Sequence, residues 1–186
     1  METQKHLTVS DFELLVGQTL NCPLTNKHEQ SIQTRDVCRN FKVILVYFGG
    51  KWCPHCPRYA NYLAGLYKRF KGSSEGKNLE IIFVSGDETH AAYWDYRRDQ
   101  PWLAASYNTA RYRHAMHELA IEGIPSVAVF RSDRQDKVTL VTIKGRESTI
   151  KDRESPRNTM EKDSHRFALL VLFFVSSFVI WVYGMW

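Results

Sequence analysis

Cysteine is scarce in this sequence, and what there is makes only one close pair. Four cysteines occur in 186 residues, at positions 22, 38, 53 and 56. A zinc site built from four cysteines usually brings two close pairs, and Cys22 and Cys38 are far apart, so the spacing argues against structural zinc. So few cysteines also make no disulfide framework, which leaves a reactive dithiol as the better reading. Long runs of one charge sign are missing as well. The 25 Lys and Arg are interspersed with 20 Asp and Glu, for a formal net charge of +5. No stretch makes a nucleic-acid footprint, and no nucleic-acid partner is expected. The N-terminal residues lack a long apolar run and so lack the form of a secretory signal, and the folded domain is therefore expected on the cytosolic side.

The one long apolar run is at the other end. Residues 167–186, FALLVLFFVSSFVIWVYGMW, carry no charge. As a helix rising about 1.5 Å per residue they span about 30 Å, the thickness of a bilayer's hydrocarbon core. Because the run closes the chain, it reads as a single-pass tail anchor inserted after translation. The alternative is a helix packed inside the domain. Lys162, His165 and Arg166 make a positive-inside flank, and Trp181, Tyr183 and Trp186 suit the far interface. With Ser176 and Ser177, this flank favours the mitochondrial outer membrane over the endoplasmic reticulum. The chain thus divides into a domain at 1–143, a charged stalk at 144–166 and a transmembrane segment at 167–186. A short closing helix is the alternative to the stalk.

Trp52-Cys53-Pro54-His55-Cys56 organises the domain. It follows a run of β-formers, VILVYF at 43–48, and precedes an amphipathic stretch in which Tyr59, Tyr62, Leu63, Leu66, Tyr67 and Phe70 recur at three and four residues. The order is strand, turn, helix. At such a junction the free N–H groups and the positive end of the helix dipole favour thiolate over thiol. Cys53 is therefore the candidate nucleophile, and Cys56 is placed to attack a mixed disulfide formed on it. This chemistry requires no metal and no bound cofactor.

A second buried-type strand at 79–85 completes a βαβ crossover. Helices are expected from Thr89 to about Arg98 and over 109–120. Gly123-Ile124-Pro125-Ser126 then turns the chain into an apolar strand that pairs antiparallel with 137–143. Upstream of the motif the patterns are weak: 12–16 and 18–21 read as an edge strand or hairpin, and 24–39 as a loop with about one helical turn. Cys22 and Cys38 read as ordinary thiols. His114 and His117 read as surface residues, since further metal ligands are lacking.

With its elements in this order the chain resembles the thioredoxin superfamily, and within it the tryparedoxin and nucleoredoxin branch. The likeness is carried by YFGGKWCPHC at 47–56, Asp87-Glu88, PWLAA at 101–105 and the Gly-Ile-Pro-Ser turn at 123–126, and runs over about residues 41–130. It implies an α/β, thioredoxin-like fold with a central mixed β-sheet flanked by helices. It makes Cys53 the attacking thiol, Cys56 the resolving thiol and Trp52 a shield and docking surface beside them. Tyr47 stands where thioredoxins proper carry a buried acid. Pro125 is implied to be cis, setting the Ile124 backbone beside the dithiol to pair with an extended substrate. The implied activity is thiol–disulfide oxidoreduction, reducing protein disulfides such as those of peroxiredoxins. Electrons come from a small thiol such as trypanothione or glutathione, or from a reductase.

Three departures stand out. Gly86 replaces the branch's Trp and removes an aromatic wall near the site. His55 replaces the second proline, giving the CPHC of strongly oxidising relatives; it either stabilises the thiolate and raises the potential, or is merely solvated. With Pro54 as the first helical residue, Pro57 lacks the N–H for the first intrahelical bond, and a distorted first turn is expected. A disulfide oxidase or isomerase and a redox-inert membrane-tethered adaptor are the rival readings.

Overall fold

The computed structural model describes residues 5–16, 24–73 and 75–144. The expected membrane span at 167–186, most of the stalk and Cys22 lie outside the described residues. Among the described residues no helix is long and apolar enough to cross a membrane.

The first half of the domain contributes β1 (His6–Thr8), α1 (Val9–Leu15), β2 (Leu24–Thr25), β3 (Ser31–Ile32), α2 (Thr34–Asn40), β4 (Val43–Gly49) and α3 (Cys56–Lys71). After a 3-10 turn the second half adds β5 (Leu79–Ser85), α4 (His90–Arg97), β6 (Leu103–Ala104), α5 (Thr109–Glu118), β7 (Ser126–Ser132) and β8 (Lys137–Lys144). The strands form one mixed sheet in the order β1-β8-β7-β4-β5-β6-β2-β3.

The centre of that sheet follows from composition. β4 is a continuous apolar run and β5 an apolar run but for Glu80 and Ser85, and both are buried along almost their whole length, as strands covered on both faces must be. They pair in parallel from Val43↔Leu79 to Gly49↔Ser85, with α3 as the crossover. α3 buries Cys56, Ala60, Leu63 and Leu66, and places Lys68, Arg69 and Lys71 in its last turn, where they oppose the negative end of the dipole. On its other side β4 pairs antiparallel with β7, Tyr47 opposite Val127, and β7 with β8 as the expected hairpin. The parallel pair brings two chain exits to one edge: the loop after Gly49 and the loop after Ser85, joined by a Gly86 N–H to Gly49 C=O bond of 2.8 Å.

Two upstream expectations are corrected. Of the segments expected as an edge strand or hairpin, 12–16 falls at the end of the helix α1, and 18–21 lies outside the described residues. The Thr8 hydroxyl accepts from the Asp11 N–H, and the Asp11 carboxylate accepts from the Thr8 N–H, a reciprocal box that starts a helix. Val9, Phe12 and Leu15 then share its buried face. The stretch expected as a loop contains β2, β3 and the seven-residue α2. Asn26 closes the β2–β3 turn by accepting from the N–H groups of His28 and Gln30. β2 joins the sheet through Thr25↔Ala104. The buried Arg97 guanidinium ties that edge together by donating to the carbonyls of Thr25, Gln100 and Trp102.

Candidate active site

The dithiol sits where the two loops meet. A tight turn delivers Cys53, its N–H bonded to Gly50 C=O at 3.2 Å, and a second turn follows with the Cys56 N–H on Cys53 C=O at 3.1 Å. α3 begins only at Cys56, with His55 as its N-cap, so Pro54 lies before the helix. This corrects the expected start and removes the expected distortion. Pro57 is the second helical residue, a position whose N–H has no intrahelical acceptor in any case. The first i→i−4 bond runs from Tyr59 N–H to His55 C=O at 3.1 Å.

Both thiols are buried. Cys53 is 3% exposed and Cys56 fully enclosed. Cys53 Sγ donates to the Ile124 carbonyl at 3.6 Å, and the Ile124–Pro125 peptide is cis. Burial, and then the hydrogen bond with Cys53, hold the Cys56 thiol well above the usual thiol range, against smaller opposing effects of the Gly50 backbone and the Tyr47 hydroxyl. Cys56 is thus a protonated thiol at neutral pH.

Beneath the pair lies a neutral network. The Tyr47 hydroxyl donates to Cys56 C=O at 3.3 Å and lies 2.7 Å from the Tyr96 hydroxyl, which therefore donates to it. Burial raises both phenols, so neither carries charge. Asp87, fully buried, braces the loop: its carboxylate accepts from Lys51 N–H at 2.7 Å and from Ser85 Oγ at 2.8 Å. Lys51 Nζ pairs with Asp95 of α4, which also binds Arg98. The Trp52 indole N–H donates to Gly86 C=O at 2.8 Å while its ring is 62% exposed.

Of the residues expected at the site, Tyr47, Trp52, Cys53, Cys56, Ile124 and Pro125 converge there. Pro54 and His55 lie beside them, exposed, and the His55 side chain makes no capping bond. The expected loss of an aromatic wall at Gly86 is corrected: a Cβ on that residue would lie 2.7 Å from Cζ of Tyr112, so the α5 ring occupies the space. Tyr96, Asp87 and Tyr112 belong to the site; of these the sequence singled out only Asp87, as a mark of the resemblance, and gave none of them a part in the chemistry. Their signal is three-dimensional, because each reaches its partner across tens of residues.

Elsewhere, Cys38 is buried in α2, its thiol pushed up to about 12 by burial and the charge of Glu13. His114 and His117 are exposed on α5, and among the described residues no group of three or more His, Cys, Asp or Glu is placed to hold a metal.

A thioredoxin-like family model matches residues 40–135. Nucleoredoxin of Homo sapiens is 32% identical over 133 residues, covering 71% of this chain but 29% of that protein. Tryparedoxin of Trypanosoma brucei brucei is 30% identical over 96 residues, 50% of this chain and 62% of that one. Native tryparedoxin I from Crithidia fasciculata shares the fold with a TM-score of 0.59 at 24% identity, covering 78% of this chain and 94% of that structure.

Proposed function

The chain belongs to the thioredoxin-like family, related to nucleoredoxin and tryparedoxin, and from that premise we propose that it is a thiol–disulfide oxidoreductase that reduces protein disulfides. The observation that carries this reading is Cys53 Sγ on the Ile124 carbonyl at 3.6 Å, with Cys56 enclosed behind it. One sulfur meets the substrate, beside a backbone carbonyl that can pair with an extended segment. The other waits.

In the reaction the Cys53 thiolate attacks one sulfur of the target disulfide. A Cys53–target S–S bond forms and the second target sulfur leaves as a thiolate, then takes a proton. Cys56 loses its proton and attacks Cys53, closing the Cys53–Cys56 disulfide and releasing the first target sulfur as a thiolate. Two electrons have passed to the target, and a small thiol such as trypanothione or glutathione, or a reductase, returns them. Disulfides of the peroxiredoxin type are the proposed targets. An exposed His55 favours the reducing direction, because solvent screens the imidazole's effect on the sulfur. The same reading holds the domain at a membrane, mitochondrial outer in preference, by residues 167–186, facing the cytosol as the Lys162 and Arg166 flank favours.

The test is made on the full-length chain. Cys53→Ser is expected to abolish disulfide reduction, and Cys56→Ser to accumulate a mixed disulfide with the target. Equilibration with glutathione buffers is expected to give a potential of roughly −200 to −270 mV. A value near about −120 mV would transfer the assignment to an oxidase or isomerase. A Cys53→Ser chain with full activity in its cellular role would leave only an adaptor.

A further inference from the structure

Two aromatic side chains from distant elements converge on residue 86. The Trp52 indole N–H is bonded to Gly86 C=O at 2.8 Å. From α5, Tyr112 lies so close that a Cβ on residue 86 would stand 2.7 Å from its Cζ and 2.9 Å from its hydroxyl oxygen. Such approaches are closer than real Cβ contacts allow, so glycine at 86 is what admits the ring. The ring is held from behind as well. Its centroid is 6.4 Å from that of Phe48, at the end of β4, and its residue stands in the first turn of α5, where the Asn108 side chain caps the Arg111 N–H and Asn108 C=O accepts from the Tyr112 N–H at 3.1 Å. Burial raises its phenol to about 12, with the thiols of Cys56 and Cys53 and the Asp87 carboxylate as the neighbouring acids. Tyr112 is thus a neutral, half-buried ring beside the dithiol, with a fixed position.

We propose that Tyr112 is a specificity-determining residue, the wall of the dithiol cleft on the α5 side, which favours disulfides carried on a polypeptide over small free disulfides. The inference rests on the oxidoreductase reading above. A polypeptide pairing with the Ile124 carbonyl as it crosses Cys53 is long enough to lie against the exposed Trp52 ring and Tyr112 together. A small disulfide reaches Cys53 without spanning them. The contribution comes from the ring rather than the hydroxyl, since the ring fills the space that residue 86 leaves open.

The test compares insulin with hydroxyethyl disulfide as substrates of the full-length chain. Tyr112→Ala is expected to raise KM for insulin about three- to tenfold, the size of a lost aromatic contact, with kcat held within about twofold. Its loss of kcat/KM on hydroxyethyl disulfide is expected to be severalfold smaller than its loss on insulin. Tyr112→Phe keeps the ring and is expected to keep the wild-type KM. Gly86→Ala pushes the ring aside and is expected to reproduce the KM defect. The double variant Gly86→Ala/Tyr112→Ala is expected to be no worse than Tyr112→Ala alone, because the methyl then has nothing to displace. Equal losses on both substrates would make the role structural and overturn the inference, and so would additive losses in the double variant or a KM defect in Tyr112→Phe. A wild-type chain that reduces neither disulfide sinks the oxidoreductase reading itself, and this inference with it. An active chain indifferent to residue 112 sinks only the inference.

Discussion

Cys56 and Tyr47 show how a buried polar pair is kept neutral. Tyr47 is fully buried, and its hydroxyl is satisfied by Cys56 C=O on one side and Tyr96 on the other. Removing it with Tyr47→Phe leaves the Tyr96 hydroxyl without that partner. The expected cost is about 1–3 kcal/mol of stability in urea unfolding, the range for a buried polar group left unmade. Cys38 makes a pH argument at the same scale. Its thiol is raised from 9.0 to about 12, so the unfolded chain loses this proton first as pH rises. The stabilisation is complete below about pH 9 and is lost as pH climbs toward 12. Urea unfolding at pH 8 and pH 10.5 is expected to show a fall in stability, and Cys38→Ala to make that fall shallower. An unchanged slope in the variant would remove Cys38 from the account.

At the scale of elements, the short ones depend on single side chains and the long ones do not. α1 has seven residues, too few to persist without help, and its start is the Thr8–Asp11 box. Thr8→Ala is expected to cost about 1 kcal/mol, read from the urea midpoint. β4, β5 and the body of α3 were legible as they stand, because each carries a sustained apolar pattern. β2 and β3 have two residues each, too short to show any period, and the pairing of β2 with β6 rests on Thr25 and a guanidinium seventy-odd positions away. The start of α3 was misread because Pro54 is as acceptable before a helix as inside its first residue.

At the scale of the whole molecule, the site is a meeting of exits. The parallel register of β4 on β5 sets Gly49 against Ser85, and so sets the Cys53 turn against Gly86 and Asp87. The distant Ile124 arrives through β7, antiparallel on the other side of β4. Residues 167–186 bear on where this domain works. The full-length chain is expected to stay with membranes through alkaline carbonate washing, and its domain to be digested when protease is added to intact organelles. Release by carbonate would remove the anchor, and a protected domain would remove the cytosolic orientation.

By itself the sequence determined the βαβ core, the dithiol at a strand–helix junction and the late proline turn. These are encoded locally, in apolar runs, in the spacing of two cysteines and in Gly-Pro punctuation, all of which act over one element. Only the tertiary structure decided which groups surround the dithiol: the Tyr47–Tyr96 pair, the Asp87 brace, and Tyr112 in the space beside Gly86. Those partners are brought together by sheet register and helix packing, and residues chosen by shape across such separations leave no periodic trace in the chain.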